Sequence, residues 1–376
     1  MFQLLSQMTV INPEAGWYRG DFHVHSNFSD GIFPPSRLVE IAKSEGMDFF
    51  IMSDHNTIDG LWELIPDSDI LVIPGIEVTL KIGHFTVLGI HGWHNWMEDI
   101  CVYPYDDDLA WDNQRPPIKE IFIRAARQGL INCIVHPLKK SWGWSDTQTN
   151  LNYVHCIEVC NCPGDPENDL GTPKAIRFWT ELLNIGYRMT ALGGSDYHRT
   201  LPSPFYTGTH SRESIGLPTT YVYADELSSN AILSAVMRRR VYVSLGPKVS
   251  FQAQVNGKVY AIGQDVGPFM GQIMFTAIVS ECPENTCTQI VKNGEIVADR
   301  TVMDDETVLV YSDTTTPSES NWYRLDVYDS NGAMLAITNP IFVGRRKHPQ
   351  IQTYGKCSNL LSQRMKLKVS NGLKHI

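Results

Sequence analysis

The chain has 376 residues, 43% of them hydrophobic and 10% aromatic, enough to form the core of one large domain with a smaller one beside it. Its net charge is −10 and its densest cationic runs are only Arg238-Arg239-Arg240 and Arg345-Arg346-Lys347. Extended nucleic-acid binding is therefore not expected, although a small phosphorylated ligand needs only a local positive site. Nothing reaches transmembrane length, residues 1–16 lack the features of a signal peptide, and the eight cysteines are spread thinly. Those features fit reduced thiols, a cytoplasmic location and no membrane partner. Cys156, Cys160 and Cys162 lack a second matching pair, so no structural zinc is expected there, while Cys282 and Cys287 leave a disulfide or a metal pair open.

Residues 1–16 read as an N-terminal extension. From 17 to 246, short apolar runs alternate with amphipathic stretches, the rhythm of β/α units. The predicted strands are Asp21–His25, Asp48–Ser53, Ile70–Ile73, His84–Ile90, Ile131–His136, Cys156–Cys160, Arg188–Gly193 and Thr219–Tyr223. Helices are predicted over Pro35–Ser44, Ile118–Gln128, Pro173–Asn184 and Asp225–Arg240, the last capped by Asp225 or Ser228. From 247 to 345, short alternating strands separated by turn signals such as Asn293-Gly294 read as a smaller all-β sandwich-like domain, with Trp322 and Tyr323 in its core. Residues 346–376 read as a loosely ordered tail with a short helix near Ser358–Lys366.

Chemistry-bearing residues recur at the predicted strand ends, the carboxyl edge where parallel β/α architectures build sites. His23 and His25 are two apart on one strand, so both rings project to the same side. Asp30, Asp54 and His55, Glu77, His84, His136, and then Asp196 and His198 follow along the chain. Each taken alone could be a capping or hydrogen-bonding residue, but two HxH or DxH pairs with further strand-end donors form a joint pattern. Mixed carboxylates and imidazoles suit Zn²⁺, Mn²⁺ or Fe²⁺, and the donors exceed what a single tetrahedral ion uses, so two or three divalent ions are expected.

The motifs Arg19-Gly20-Asp21-Phe22-His23-Val24-His25-Ser26, Ser29-Asp30-Gly31, Ser53-Asp54-His55-Asn56, Gly75-Ile76-Glu77, His84, His136-Pro137 and Gly194-Ser195-Asp196-Tyr197-His198 span Trp17 to Arg199. In that order they resemble the PHP superfamily, named for polymerase and histidinol phosphatase. Together with Asn339-Pro340-Ile341-Phe342-Val343, the chain looks like the CehA/McbA-type metallohydrolases within it. The resemblance implies a distorted (β/α)₇ barrel. It also implies one ion held by His23, His25, Glu77 and Asp196, a second reached through bridging Glu77 with His136 and His84, and a third held by Asp30, His55 and His198. His91 or His94 could replace His84, and Asp54 would fix a ligand ring by a hydrogen bond.

The implied activity is phosphoester hydrolysis by hydroxide formed between the ions, with catalytic roles for Glu77, Asp196 and His198. Hydrolysis of a carboxyl or carbamate ester on the same site is the alternative within enzymes, and a non-catalytic, metal-stabilised binding or scaffold protein is the alternative outside them. Arg199 and Lys139, with Lys140 beside them, are candidate contacts for a small-molecule ester. The stretches Gly92–Gln114, Ser141–Trp144 and Thr200–Gly216 are expected to be lids or specificity loops on the site side. The oligomeric state is left open.

Overall fold

The computed structural model describes residues 9–64, 69–101, 118–199, 214–302 and 305–370. In chain order the first half contains β1 (Gly16–Val24), α1 (Pro35–Ser44), β2 (Phe49–Met52), β3 (Leu71–Leu80), β4 (Gly83–Leu88), α2 (Ile118–Arg127), β5 (Ile131–Ile134), β6 (Cys156–Asn161), α3 (Pro166–Ile185), β7 (Thr190–Gly194), β8 (Thr219–Ala224), α4 (Ser229–Met237) and β9 (Val241–Ser244). Then follow β10 (Lys248–Val255), β11 (Lys258–Ala261), β12 (Gly271–Ser280), β13 (Cys287–Lys292), β14 (Glu295–Thr301), β15 (Glu306–Thr315), β16 (Ser320–Tyr328), β17 (Met334–Thr338), β18 (Ile341–Gly344) and α5 (Tyr354–Ser370).

The fold is mixed α/β. Among the described residues one large sheet runs in the order β14-β13-β16-β17-β9-β8-β1-β2-β3-β4-β5-β6-β7, with β18 paired to β16. β1, β2 and β3 are parallel, as are β5, β6 and β7, while β4 is antiparallel to both of its neighbours. A single parallel bridge between Val24 and Tyr197 brings the chain after β7 back beside the end of β1. There the His25 N–H donates to Tyr197 O at 3.0 Å and the Tyr197 N–H to His23 O at 3.2 Å. This return puts residues from both ends of the first half around one point.

The strands next to that point are buried from end to end in β2, β3, β4, β5 and β7, which is why they read as continuous apolar runs. α3 packs beside β6 and buries Phe178, Trp179, Leu182 and Leu183, each worth about 1.5–3 kcal/mol on burial. Asp165 caps α3 by accepting from the Glu167 and Asn168 N–H groups, and Gly186 ends it in the left-handed conformation. The helix thus starts earlier than predicted, with Pro173 inside it rather than at its head. Ser228, one of the two caps expected for α4, accepts from the Ala231 N–H.

Past residue 246 the chain is all-β until α5. β10, β11, β12 and β15 form a second, antiparallel sheet with alternating burial, packed on the β13 and β16 end of the large sheet. The sheet is continuous across 246/247, because β9 pairs with β17 from Ala336↔Ser244 to Thr338↔Tyr242. Asn339 adds a side-chain link, its Oδ1 accepting from the Ala191 N–H at 2.9 Å and its Nδ2 donating to the carbonyls of Ala191 and Val241. Tyr323 lies in the core between the two sheets as expected, whereas Trp322 is buried in the core of the first half, with an Nε1–H bond to Asn184 Oδ1.

Two expectations need correction. Instead of a loose tail with a short helix, the chain beyond 346 docks and carries α5. Tyr354 and Cys357 are buried, and Tyr354 lies 4.9 Å from the Phe178 ring. The stretch after β4 leaves from the rim opposite the strand ends that carry the ligands, because β4 runs antiparallel to β3. The described part of that stretch sits with α2, where Trp96 Nε1 donates to Gln128 Oε1 at 3.0 Å. The rest, 102–114, lies outside the described residues, as does most of the expected loop 200–216. All eight cysteines are free thiols, so Cys282 and Cys287 form no disulfide. Among the described residues no helix is long and apolar enough to cross a membrane.

Candidate metal centre

Glu77 lies in mid-strand on β3, not at its end, and is fully buried. Each of its carboxylate oxygens faces a different set of imidazoles. Oε2 is 2.9 Å from His23 Nε2, 3.2 Å from His25 Nε2 and 3.2 Å from His55 Nδ1. Oε1 is 2.9 Å from His84 Nδ1 and 3.3 Å from His136 Nε2. His84 opens β4 rather than closing it, and reaches the same edge only because that strand runs backwards.

Asp196 Oδ1 lies 3.2 Å from His23 Nε2 and 3.1 Å from His25 Nε2, on the solvent side of the same pair. Asp30 Oδ1 is 3.1 Å from His198 Nε2, and its Oδ2 is 3.5 Å from His55 Nε2. Three groups of donors each lie within 4.8 Å of one another: His23, His25, Glu77 and Asp196; His25, Asp30, His55 and His198; and His55, Glu77 and His84. All nine residues expected as ligands therefore meet. The grouping differs in detail, with His25 shared between two groups and His136 joined to the rest through Glu77 Oε1. His91 and His94 pair with each other at 4.6 Å between rings, and neither belongs to these groups.

The charges are strongly coupled. Burial opposes the charged form of His25, but hydrogen bonds to Asp196 and Glu77 outweigh it and raise the imidazole to about 10. His23 is likewise raised against its burial by Asp196, Glu77 and Glu158. Glu77 and Asp196 are held well below the usual carboxylate range, the imidazoles overcoming burial in both cases. His84 goes the other way, pushed down to about 4 by burial and so neutral near pH 7. The Nδ1 atoms of His25 and His136 are buried without a hydrogen bond. A divalent cation suits such a set: it replaces the imidazolium protons as the carboxylates' partner and accepts the unused ring nitrogens. His136 and Asp196 have φ of 29° and 53°, left-handed values that non-glycine residues rarely adopt and that cluster at functional sites.

Three buried polar residues around the cluster were not anticipated. Glu158 on β6 lies with Oε1 3.2 Å from His23 Nδ1, and its Oε2 accepts from the His136 N–H at 2.8 Å and from Asn161 Nδ2 at 2.9 Å. Asn161 Oδ1 in turn accepts from Asn168 in the first turn of α3. Asp21 Oδ1 accepts from the N–H groups of His23 and Ser195, and its Oδ2 from Gly216 N–H, tying β1 to the chain after β7. A readable signal existed: Glu158 and Asp21 are charged residues in otherwise apolar strands.

Asp54 does not fix a ring as expected. Its oxygens accept from the Ser26 N–H and hydroxyl, each at 2.6 Å, and from Ser29 Oγ at 2.8 Å, so it holds the loop that presents Asp30. Lys139 Nζ is paired with Asp165 Oδ2 at 2.9 Å, Lys140 is exposed, and Arg199 is exposed beside His198.

A mixed α/β chain that brings six imidazoles and three carboxylates together in this way carries a candidate metal site. Residues 21–144 match the family model of the PHP domain, so that part of the chain is a PHP domain. Over 62 residues, 16% of this chain, it is 36% identical to a 5'-3' exoribonuclease of Haemophilus influenzae, and the match spans 23% of that relative's length. Among solved structures it is similar to a two-domain protein from Bacteroides vulgatus described as containing a predicted PHP-like metal-dependent phosphoesterase. That likeness has 18% identity, a TM-score of 0.43, and coverage of 89% of this chain and 98% of the other. It is also similar to a candidate metal-dependent phosphoesterase from Bifidobacterium adolescentis, with 15% identity, a TM-score of 0.38, and coverage of 52% and 92% respectively. The PHP domain and its donor cluster together support a metal-dependent hydrolase.

Proposed function

We propose that this protein is a phosphoesterase that works through two or three divalent ions, Zn²⁺, Mn²⁺ or Fe²⁺, on a small-molecule ester. The observation that carries this reading is the divided environment of Glu77, with three imidazoles on one carboxylate oxygen and two on the other. A carboxylate with both oxygens so occupied suits a bridge between neighbouring ions. His23, His25 and Asp196 would complete one side of it, His84 and His136 the other, and Asp30, His55 and His198 an outer position. When bound, such ions acidify water and neutralise the charge that builds on a phosphoryl group.

The protein's own groups supply the rest. Glu158 and Glu77 orient His23 from opposite ring nitrogens. His198 would hold the outer ion through Nε2 or, with only two ions bound, carry the proton for the leaving oxygen on that atom. It is the most exposed imidazole of the set, at 24%, and its Nδ1–H donates to Asp196 O at 2.7 Å while Asp30 faces Nε2. The exoribonuclease named among the relatives belongs to a class that acts on phosphodiesters, which favours a phosphoester over a carboxyl or carbamate ester.

We read β1 to β7 as the distorted (β/α)₇ barrel of the family, a reading supported by the Val24 and Tyr197 bridge, and the chain from 247 to 345 as a sandwich domain of the CehA/McbA-like kind. A cytoplasmic location is supported by the eight free thiols. The test is elemental analysis of protein purified without added metal, followed by turnover of phenyl phosphate, bis(phenyl) phosphate, aryl acetates and carbamates by the wild type and His23→Ala. Phosphoester turnover that falls with metal content in the variant is expected. Turnover of acetates or carbamates alone would replace this reading with the other ester chemistry, and tightly held metal with no turnover would favour a scaffold.

A further inference from the structure

Trp142 stands at the edge of the metal centre. Its ring stacks on His84 with centroids 5.9 Å apart and planes at 24°, and His84 Nδ1 is 2.9 Å from Glu77 Oε1, so the indole is one side chain removed from the middle of the cluster. It is nonetheless 44% exposed. Across the cluster Ile32 is 50% exposed, and its N–H donates to His198 O at 3.0 Å. The donor set thus sits between two apolar lips, one of them aromatic.

The loop that presents Trp142 is pinned on both sides of it. Ser141 N–H and Oγ–H both donate to Glu167 Oε2, at 2.9 and 2.6 Å. Trp144 is buried edge-on against the stacked rings of Phe85 and Phe122, its N–H donating to Pro137 O and its Nε1–H to Thr149 Oγ1, each at 2.9 Å. Gly143 between them lies so close to the chain that a Cβ would come within 2.3 Å of Lys139 O. An exposed indole held this firmly is ordered before any ligand arrives, which removes an entropic cost of binding.

We propose that Trp142 is a stacking platform for a flat aromatic ring on the substrate, so that the preferred substrates are phosphoesters carrying such a ring close to phosphorus. This rests on the phosphoester reading. A phosphoryl group among His84, Glu77 and their neighbours leaves its ester substituent beside the indole, and offset stacking of two rings gives a directional preference that an aliphatic ring of equal size does not receive.

The test is calorimetric binding to the Mn²⁺-loaded protein, which needs no turnover. Phenylphosphonate is compared with cyclohexylphosphonate, and adenosine 5'-monophosphate with ribose 5-phosphate, in the wild type, Trp142→Phe and Trp142→Ala. The wild type is expected to favour the aromatic member of at least one pair by about three- to tenfold. Trp142→Phe keeps most of that ratio and Trp142→Ala loses it, with metal content per chain unchanged. A preference in the first pair alone assigns a simple aryl group, and one in the second a nucleobase. Absence of preference in the wild type, or its survival in Trp142→Ala, overturns the proposal. So does a Trp142→Ala variant that loses metal while keeping the ring preference, since the indole would then only shield His84. Binding that discriminates as expected without hydrolysis of any ester would refute the phosphoesterase reading and leave the platform standing.

Discussion

Glu158 Oε1 lies 3.2 Å from His23 Nδ1, and the other oxygen of the same carboxylate accepts the His136 backbone N–H at 2.8 Å. One buried residue therefore sets two of the proposed ligands. With Nδ1–H donating to Glu158, the His23 ring presents Nε2 to Glu77 and Asp196 in the tautomer a cation needs. Glu158→Gln is expected to weaken metal affinity by about 10- to 100-fold, the range typical for loss of such an outer partner. A chelator-competition titration reads it directly, and affinity equal to wild type would remove Glu158 from this role.

Glu77 and Asp30 should differ in reach. Glu77 touches five imidazoles on two sides, whereas Asp30 is 42% exposed and faces mainly His55 and His198. Glu77→Ala is expected to strip most of the metal and the activity with it, while Asp30→Ala loses only the outer portion. Elemental analysis of the two purified variants side by side checks this ordering, and equal losses would contradict a bridging place for Glu77.

Metal uptake should release protons. In the metal-free protein burial disfavours the charged form of His25, but Asp196 and Glu77 raise it from 6.5 to about 10. Because the folded value lies above the unfolded one, the stabilisation from this charge is fully present below about 6.5 and is lost as pH rises through about 10. A cation bound by His25 must displace that proton, so affinity strengthens as pH rises across the same interval. Titration with Zn²⁺ near neutral pH in buffers of different ionisation enthalpy is expected to show net proton release. A heat independent of buffer would argue against His25 as a ligand.

The donor cluster was legible because its members sit in short local motifs, each beside an apolar strand. What was not legible depended on partners far along the chain. Glu158 meets His23 across 135 positions, and in sequence it stands among Cys156, Cys160 and Cys162 with no ligand motif beside it. The direction of β4 turns on the short Lys81-Ile82 connection, which carries no standard hairpin signal, so the rim from which residues 92–101 leave was misread. The docking of α5 rests on a narrow stripe including Tyr354 and Cys357 in an otherwise polar, basic segment, too sparse to announce that the helix predicted there is docked. The continuous sheet across 246/247 depends on pairing between β9 and β17, which no local pattern encodes.

A buried ion pair helps pin the joint between the two halves. Arg324 on β16 makes a bidentate pair with Asp326, Nε to Oδ1 at 2.7 Å and Nη2 to Oδ2 at 2.9 Å, and its Nη1–H donates to Thr180 Oγ1 on α3 at 2.8 Å. The guanidinium also lies 5.0 Å from the Trp179 ring and 5.3 Å from the Trp322 ring. Both charged side chains are buried, at 4% and 3% exposure, so removing either partner strands the other in a dry interface. Asp326→Ala is expected to cost about 3–5 kcal/mol in urea unfolding. The double change Arg324→Met with Asp326→Leu, which leaves no orphaned charge, should recover much of that loss. If Asp326→Ala instead unfolds within about 0.5 kcal/mol of the wild type, the pair contributes no more than an ordinary surface contact and the joint is held by its other contacts.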